Sequence, residues 1–157
     1  MRVEGATLKC NTYTLRQTTS RMPEFVDITE RVADFLYESQ IRNGFVVVFS
    51  KHTTAAITIQ ENEPLLINDM ASLLDRLSPR SSRYGHNDFS IRTVNMHEDE
   101  CPNGHSHCQH LILGSSESIP VVDGGLTLGQ FQRIFMVELD DDDRKEHREI
   151  VVQILGV

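Results

Sequence analysis

Cysteine is scarce in this chain and poorly placed for cross-linking. Cys10, Cys101 and Cys108 are odd in number and irregularly spaced. That argues against a disulfide framework and fits a reducing cytoplasm. No CxxC pair is present, which excludes a four-cysteine zinc site. Long apolar runs are missing too: none approaches the roughly 20 residues of a membrane-spanning helix. The opening MRVEGATLKC has no apolar signal core, so export is not expected. Positive charge is in deficit, with 15 Lys and Arg against 23 Asp and Glu, for a net charge of −8. The phosphates of DNA or RNA and an anionic membrane surface would both repel such a chain. There is no repeat, no low-complexity tract and no Pro/Gly linker, so residues 1–157 read as one domain. The motifs GxxxxGK[ST], GxGxxG, GxSxG and HExxH are all absent. P-loop, dinucleotide-fold, serine-hydrolase and zincin chemistries are therefore disfavoured.

What is present is a core and a concentration of histidine. Apolar residues make up 39% of the chain, enough to fold. Residues 6–17 alternate loosely and read as a strand. Asp27-Ile28-Thr29-Glu30 has the form of a capping box, and Ile28, Val32, Phe35 and Leu36 recur at helical spacing, so a helix is expected over about 28–39. Gly44–Phe49 is a dense β-branched and aromatic run, expected as a strand buried on both faces. A second strand follows at 54–60. Pro64 then suits a first helical turn, and Leu66, Met70, Leu73, Leu74 and Leu77 share one face of a helix over 65–77. From 78 to about 110 the pattern breaks down, apart from a short strand expected at 90–95. Beyond it the chain is β: a strand at 118–122, a hairpin turn at Asp123-Gly124-Gly125, a strand over 131–139, a charged turn at 140–146 and a last strand at 149–155. Strands outnumber helices and the last four are consecutive. This predicts an α+β domain, mainly antiparallel, with two or three flanking helices.

Five of the seven histidines, His86, His97, His105, His107 and His110, fall within 25 positions. Imidazole nitrogens are good ligands for transition metals. If residues 104–110 are extended, His105 and His107 project to one face. If they are helical, His107 and His110 share a face instead. Either pair needs a further ligand, from His52 or His86. Lys51-His52-Thr53-Thr54 joins two apolar strands, and the hydroxyls of Thr53 and Thr54 beside an imidazole suit a phosphate or an oriented water. Glu61 or Glu63 is a candidate metal ligand or general base, with Glu61 taken as the base and Asn62 beside it as a substrate contact, although both acids equally suit a helix start. Asp140–Asp143 reads as a solvated hairpin tip.

Several motifs occur together and in order. They are HTTAA at 52–56, an ExxP stretch at 61–64, Tyr84-x-His86-x-Asp88, NGHSH at 103–107, LGSS at 113–116, VVDGGLTLGQFQ at 121–132 and VELD at 137–140. In this the chain resembles the YjbQ family, also labelled secondary thiamine-phosphate synthase. The resemblance implies a jelly-roll-like β-sandwich, a homotrimer, and a histidine-lined pocket near subunit boundaries. It implies a reaction that joins a pyrimidine pyrophosphate to a thiazole phosphate and releases pyrophosphate. By position it marks His52, His86, His105 and His107 for catalysis or for a divalent metal, zinc or magnesium. Catalysis is expected at His52 and His107, with Glu61. Gln132, Glu138 and Arg144 are marked for the substrate. Phe131 stands where the family usually has tryptophan, and His110 where no family histidine is expected. The alternative activities are a metal-dependent hydrolase and a ligand-binding trimer without turnover.

Overall fold

The computed structural model describes residues 7–96, 98, 100–140 and 147–157. The strands are β1 (Lys9–Gln17), β2 (Glu24–Asp27), β3 (Gly44–Ser50), β4 (Ala55–Glu61), β5 (Ser116–Val122), β6 (Gly125–Leu126), β7 (Gln132–Glu138) and β8 (Arg148–Gly156). The helices are α1 (Thr29–Ser39), α2 (Pro64–Leu77) and α3 (Gly104–Leu113), with a single 3₁₀ turn at Gly85–Asn87. One sheet has the order β1-β8-β3-β5-β6 and the other β2-β7-β4, and every pairing is antiparallel. The expected α+β class and antiparallel sheets are found, with three helices where two or three were expected.

Period-2 alternation decides what each strand buries. Val46, Val48, Ile150, Val152 and Ile154 of the large sheet meet Ala55, Ile57, Ile134 and Met136 of the small one, with Val32 and Leu36 of α1 closing the same core. The alternate residues of the small sheet, Ala56, Phe135 and Val137, pack on its other face with Leu74 of α2. Strand β7 is therefore buried on both sides, and its backbone is the spine of the molecule. Strand β3 is not. Phe45 and Phe49 are exposed, because no helix among the described residues covers that face of the large sheet.

The helix starts differ in detail from the sequence patterns. Asp27 accepts the Thr29 amide at 3.0 Å, but Glu30 pairs with Arg133 instead of closing a capping box. Glu63 accepts the amides of Leu65 and Leu66, so it caps α2. The apolar face of α2 is wider than its cover: Leu74 is buried while Leu73 and Leu77 are exposed. The strand expected at 90–95 is absent, and turns wrapped around Arg92 take its place. Residues 104–110 are helical. Gly104 donates its amide to Asn87 Oδ1 at 2.9 Å, and a Cβ there would lie 2.6 Å from Tyr84 Cβ. Glycine thus lets α3 begin hard against the turn that carries His86. The expected charged turn lies outside the described residues beyond Asp140.

Candidate functional site

Two histidines meet at this junction. His86 sits on the 3₁₀ turn and His107 on the first turns of α3, with ring centroids 4.6 Å apart and an edge-on angle of 66°. They line a cavity of about 410 Å³ with Thr53, Arg92, Val94, Asn95 and Glu100. That volume is in the range of small-molecule sites. Arg92 is nearly buried and holds the wall together. It donates to the carbonyls of Asn95 at 2.7 Å, Val94 at 3.4 Å and His86 at 3.4 Å, and forms an ion pair with Glu100. Glu100 Oε1 also lies 3.6 Å from His86 Nε2. Behind His107 is the buried Asp140, held by Asn103 Nδ2 at 2.9 Å.

His105 takes no part in this cavity. Two residues along a helix turn by about 200°, so His105 and His107 point to opposite sides. His105 is buried, its ring 6.4 Å from that of Tyr84, with Ser106 Oγ 3.3 Å from its Nε2. His110 does share a side with His107, at i+3, and its Nε2 lies 3.1 Å from Ser115 Oγ. Cys101 and Cys108 are free thiols at the surface.

His52 is placed by a different set of contacts. Its Nε2 accepts the Glu149 backbone N–H at 2.8 Å, and its Nδ1 lies 3.4 Å from Arg148 Nη1. Arg148 grips Glu138 through Nη2 at 2.7 Å and Nε at 2.8 Å, and Nη2 also donates to Thr54 Oγ1 at 3.1 Å. Glu138 is fully buried and accepts further bonds from Thr19 Oγ1 and from the amides of Leu139 and Asp140. It was expected to touch substrate. It instead anchors Arg148, and Thr54, also buried, belongs to the same anchor. Only Thr53 of that turn reaches the cavity.

Glu61, Asn62 and Gln132 stand elsewhere. The register pairs Ala55 with Glu138 and Glu61 with Gln132, so six residues at roughly 3.4 Å each put about 20 Å between these two ends of the sheet. Asn62 Nδ2 donates to Asp27 Oδ2 at 3.0 Å, and Gln132 Oε1 accepts the Gly129 amide at 2.8 Å. Within one chain Glu61 is out of reach of His52 and His107. Arg144 lies outside the described residues.

The four expected metal ligands do not converge. Among the described residues, no group of three or more His, Cys, Asp or Glu side chains is placed to hold a metal ion. The reasons are physical: His105 faces the interior, His52 has one nitrogen on an amide and the other beside a guanidinium, and Glu100 is bound to Arg92. Only His86 and His107 come together. Arg92 and Glu100 were not singled out from the sequence, which offered no signal for them beyond two charges in an irregular segment.

Burial holds the pKa of His52, His107 and His110 below the ordinary imidazole value, helped by the charge of Arg148 at His52 and by His86 at His107, where Asp140 pulls the other way. The unfolded chain then binds protons that the folded chain does not. The stability carried by these neutral rings is fully present above about pH 6.5 and is lost as pH falls through their folded values. The urea midpoint is expected to fall between about pH 7.5 and pH 5.5, with a shallower fall in His107→Gln. A midpoint that is flat over this range contradicts the assignment.

Comparison with known proteins gives a consistent picture. The family model described as UPF0047 protein YjbQ-like matches residues 12–157. A UPF0047 protein of Methanothermobacter thermautotrophicus is 38% identical over 152 residues, which is 97% of this chain and 96% of that one. YugU of Bacillus subtilis is 33% identical over 128 residues, covering 81% and 88%. The crystal structure of a YbjQ-like protein from Sulfolobus solfataricus P2 superposes with a TM-score of 0.85 at 33% identity, covering 96% of this chain and 100% of that one. A hypothetical protein from Aeropyrum pernix K1 gives 0.77 at 31%, covering 95% and 99%. No helix among the described residues is long and apolar enough to cross a membrane.

Proposed function

The chain belongs to the YjbQ-like UPF0047 family, and on that footing we propose that it is a small-molecule enzyme acting on phosphorylated substrates. The reaction implied by the resemblance, thiamine phosphate formation, is the first candidate. One observation carries this reading: two half-buried imidazoles 4.6 Å apart share a cavity with the guanidinium of Arg92. In that reaction the thiazole nitrogen attacks the pyrimidine methylene carbon, and the carbon–oxygen bond to pyrophosphate breaks, its electron pair leaving with the pyrophosphate. Charge builds on the departing oxygen, where a guanidinium and imidazole N–H groups stabilise it most. Burial lowers the pKa of His107, so it stands as a neutral imidazole with a lone pair able to accept a proton. Magnesium enters with the pyrophosphate as part of the substrate, and no step is assigned to a resident metal. Thr53 Oγ1 is the remaining polar contact offered by the sequence motif. We place the enzyme in the cytoplasm as a homotrimer. Three free thiols support the compartment. An apolar cleft lined by Phe25, Met70, Leu73, Leu77 and Ile112 supports a subunit contact.

The test starts from protein that elutes at about three times the 17.9 kDa of one chain. With both thiamine precursors and magnesium, wild type is expected to form thiamine phosphate, and His86→Ala and His107→Ala to form about 10²–10⁴-fold less. Product no higher in wild type than in the variants overturns the reaction. Saturable precursor binding without product makes the chain a ligand-binding protein.

A further inference from the structure

His52 and Arg148 oppose two hydrogen-bond donors across a short gap. A backbone N–H can only donate, so the Glu149 amide at 2.8 Å leaves His52 Nε2 without a proton. The neutral imidazole then carries its proton on Nδ1. That nitrogen faces Arg148 Nη1 at 3.4 Å, and a guanidinium has only protons to offer. The other Arg148 nitrogens are satisfied, Nε on Glu138 and Nη2 on Glu138 and Thr54. The Arg148 side chain is only 9% exposed. A buried donor facing another donor is unfavourable unless an acceptor joins them.

We propose that the gap between His52 Nδ1–H and Arg148 Nη1–H is a subsite for one oxygen of a phosphate-type oxyanion. Such an oxygen has lone pairs and no proton, so it satisfies both donors at once, whereas a water must still place two protons of its own. Among the described residues, the other charges around the gap do not fill it. Glu138 is taken up by Arg148, and Glu149 by Lys51 at 2.6 Å. His52 is half-buried, so the gap reaches solvent. The next residue, Thr53, lines the cavity that holds His86 and His107. If that cavity takes a phosphorylated ligand, as proposed above, a phosphate oxygen of the ligand enters this subsite. The tautomer of His52 is set by the Glu149 amide and not by the cavity.

Nitrogen-15 spectra of the histidine rings, recorded on the full chain with and without inorganic phosphate, test the proposal. The free protein is expected to show His52 protonated on Nδ1, and phosphate to shift that resonance. His52→Phe, which keeps an aromatic ring but has no donor, is expected to weaken phosphate binding about tenfold. Should that variant fail to fold, the wild-type shift decides alone. A proton found on Nε2 overturns the proposal. A response at His86 and His107 with His52 unmoved also overturns it, while leaving the cavity reading standing. No response at any histidine overturns it too, and the cavity reading then rests on product formation. A small phosphate monoester that binds tighter than inorganic phosphate assigns the oxygen to an organic ligand; equal binding assigns it to the free anion.

Discussion

Glu138→Ala is expected to lower the unfolding free energy by about 3–5 kcal/mol, read as a shift of the urea midpoint at unchanged slope. The carboxylate is fully buried and answers the fork of Arg148 with both oxygens. It also accepts Thr19 Oγ1 and the amides of Leu139 and Asp140. Alanine removes all of these acceptors and leaves a buried guanidinium without its counter-charge. Breaking one side of a buried pair is far more damaging than never having had it. Glu138→Gln keeps the shape and loses the charge, so it should fall between wild type and alanine. A loss in Glu138→Ala below about 1 kcal/mol would mean that solvent reaches the pair and that the anchor for the His52 turn is weak. The site is affected as well, because Thr54, two residues from His52, takes its position from the same guanidinium.

The parts of the fold legible in the sequence are those with an apolar period. Val32 and Leu36 on α1, Val46 and Val48 on β3 and Ile150, Val152 and Ile154 on β8 all reach the core that their spacing predicts. The sequence pattern of α3 fits extended and helical forms alike, and its burial explains why. The residues it hides include His105, Ser106 and Gln109, which are polar, so no apolar stripe betrays the helix. Strand β2 has only four residues, all half-buried, and falls below any periodic signal. The double phenylalanine of β3 suggested two buried faces, but composition does not reveal that one face of the large sheet is left without a covering helix.

The candidate site was legible in residue type and illegible in partnership. Motif histidines were found, yet which of them meet depends on long-range pairing. His52 is fixed by the amide of Glu149, 97 positions away, and Glu138 by an arginine on the next strand. Glu61 and Gln132 are neighbours of each other across the sheet and strangers to His107, a consequence of register that motif order does not contain. Arg92 was invisible for the same reason. Its partners are backbone carbonyls, which no side-chain pattern records.

That dependence on carbonyls makes Arg92→Leu a local perturbation with a large effect. The described residues of 86–100 contain a single 3₁₀ turn and no strand, so one side chain replaces the ladder that a sheet would supply. Arg92 donates to His86 O, Val94 O and Asn95 O and pairs with Glu100. Hydrogen bonds from a charged group contribute about 1.5–3 kcal/mol each, and the loss of even two is on the order of 3 kcal/mol. Since 1.4 kcal/mol is a factor of ten, amide exchange over 86–100 should quicken by about 100-fold. Exchange in β7 and β8 should be unchanged, because their ladders and the two cores do not involve this segment. Arg92→Lys keeps the charge but not the fork, and should recover only part of the protection. In the leucine variant the wall of the cavity loses its order together with its one guanidinium, so ligand binding and exchange protection should fail together. Exchange that quickens over the whole chain would instead make Arg92 a support of the global fold. Protection that stays intact would show that Glu100 and the turns hold the wall without it.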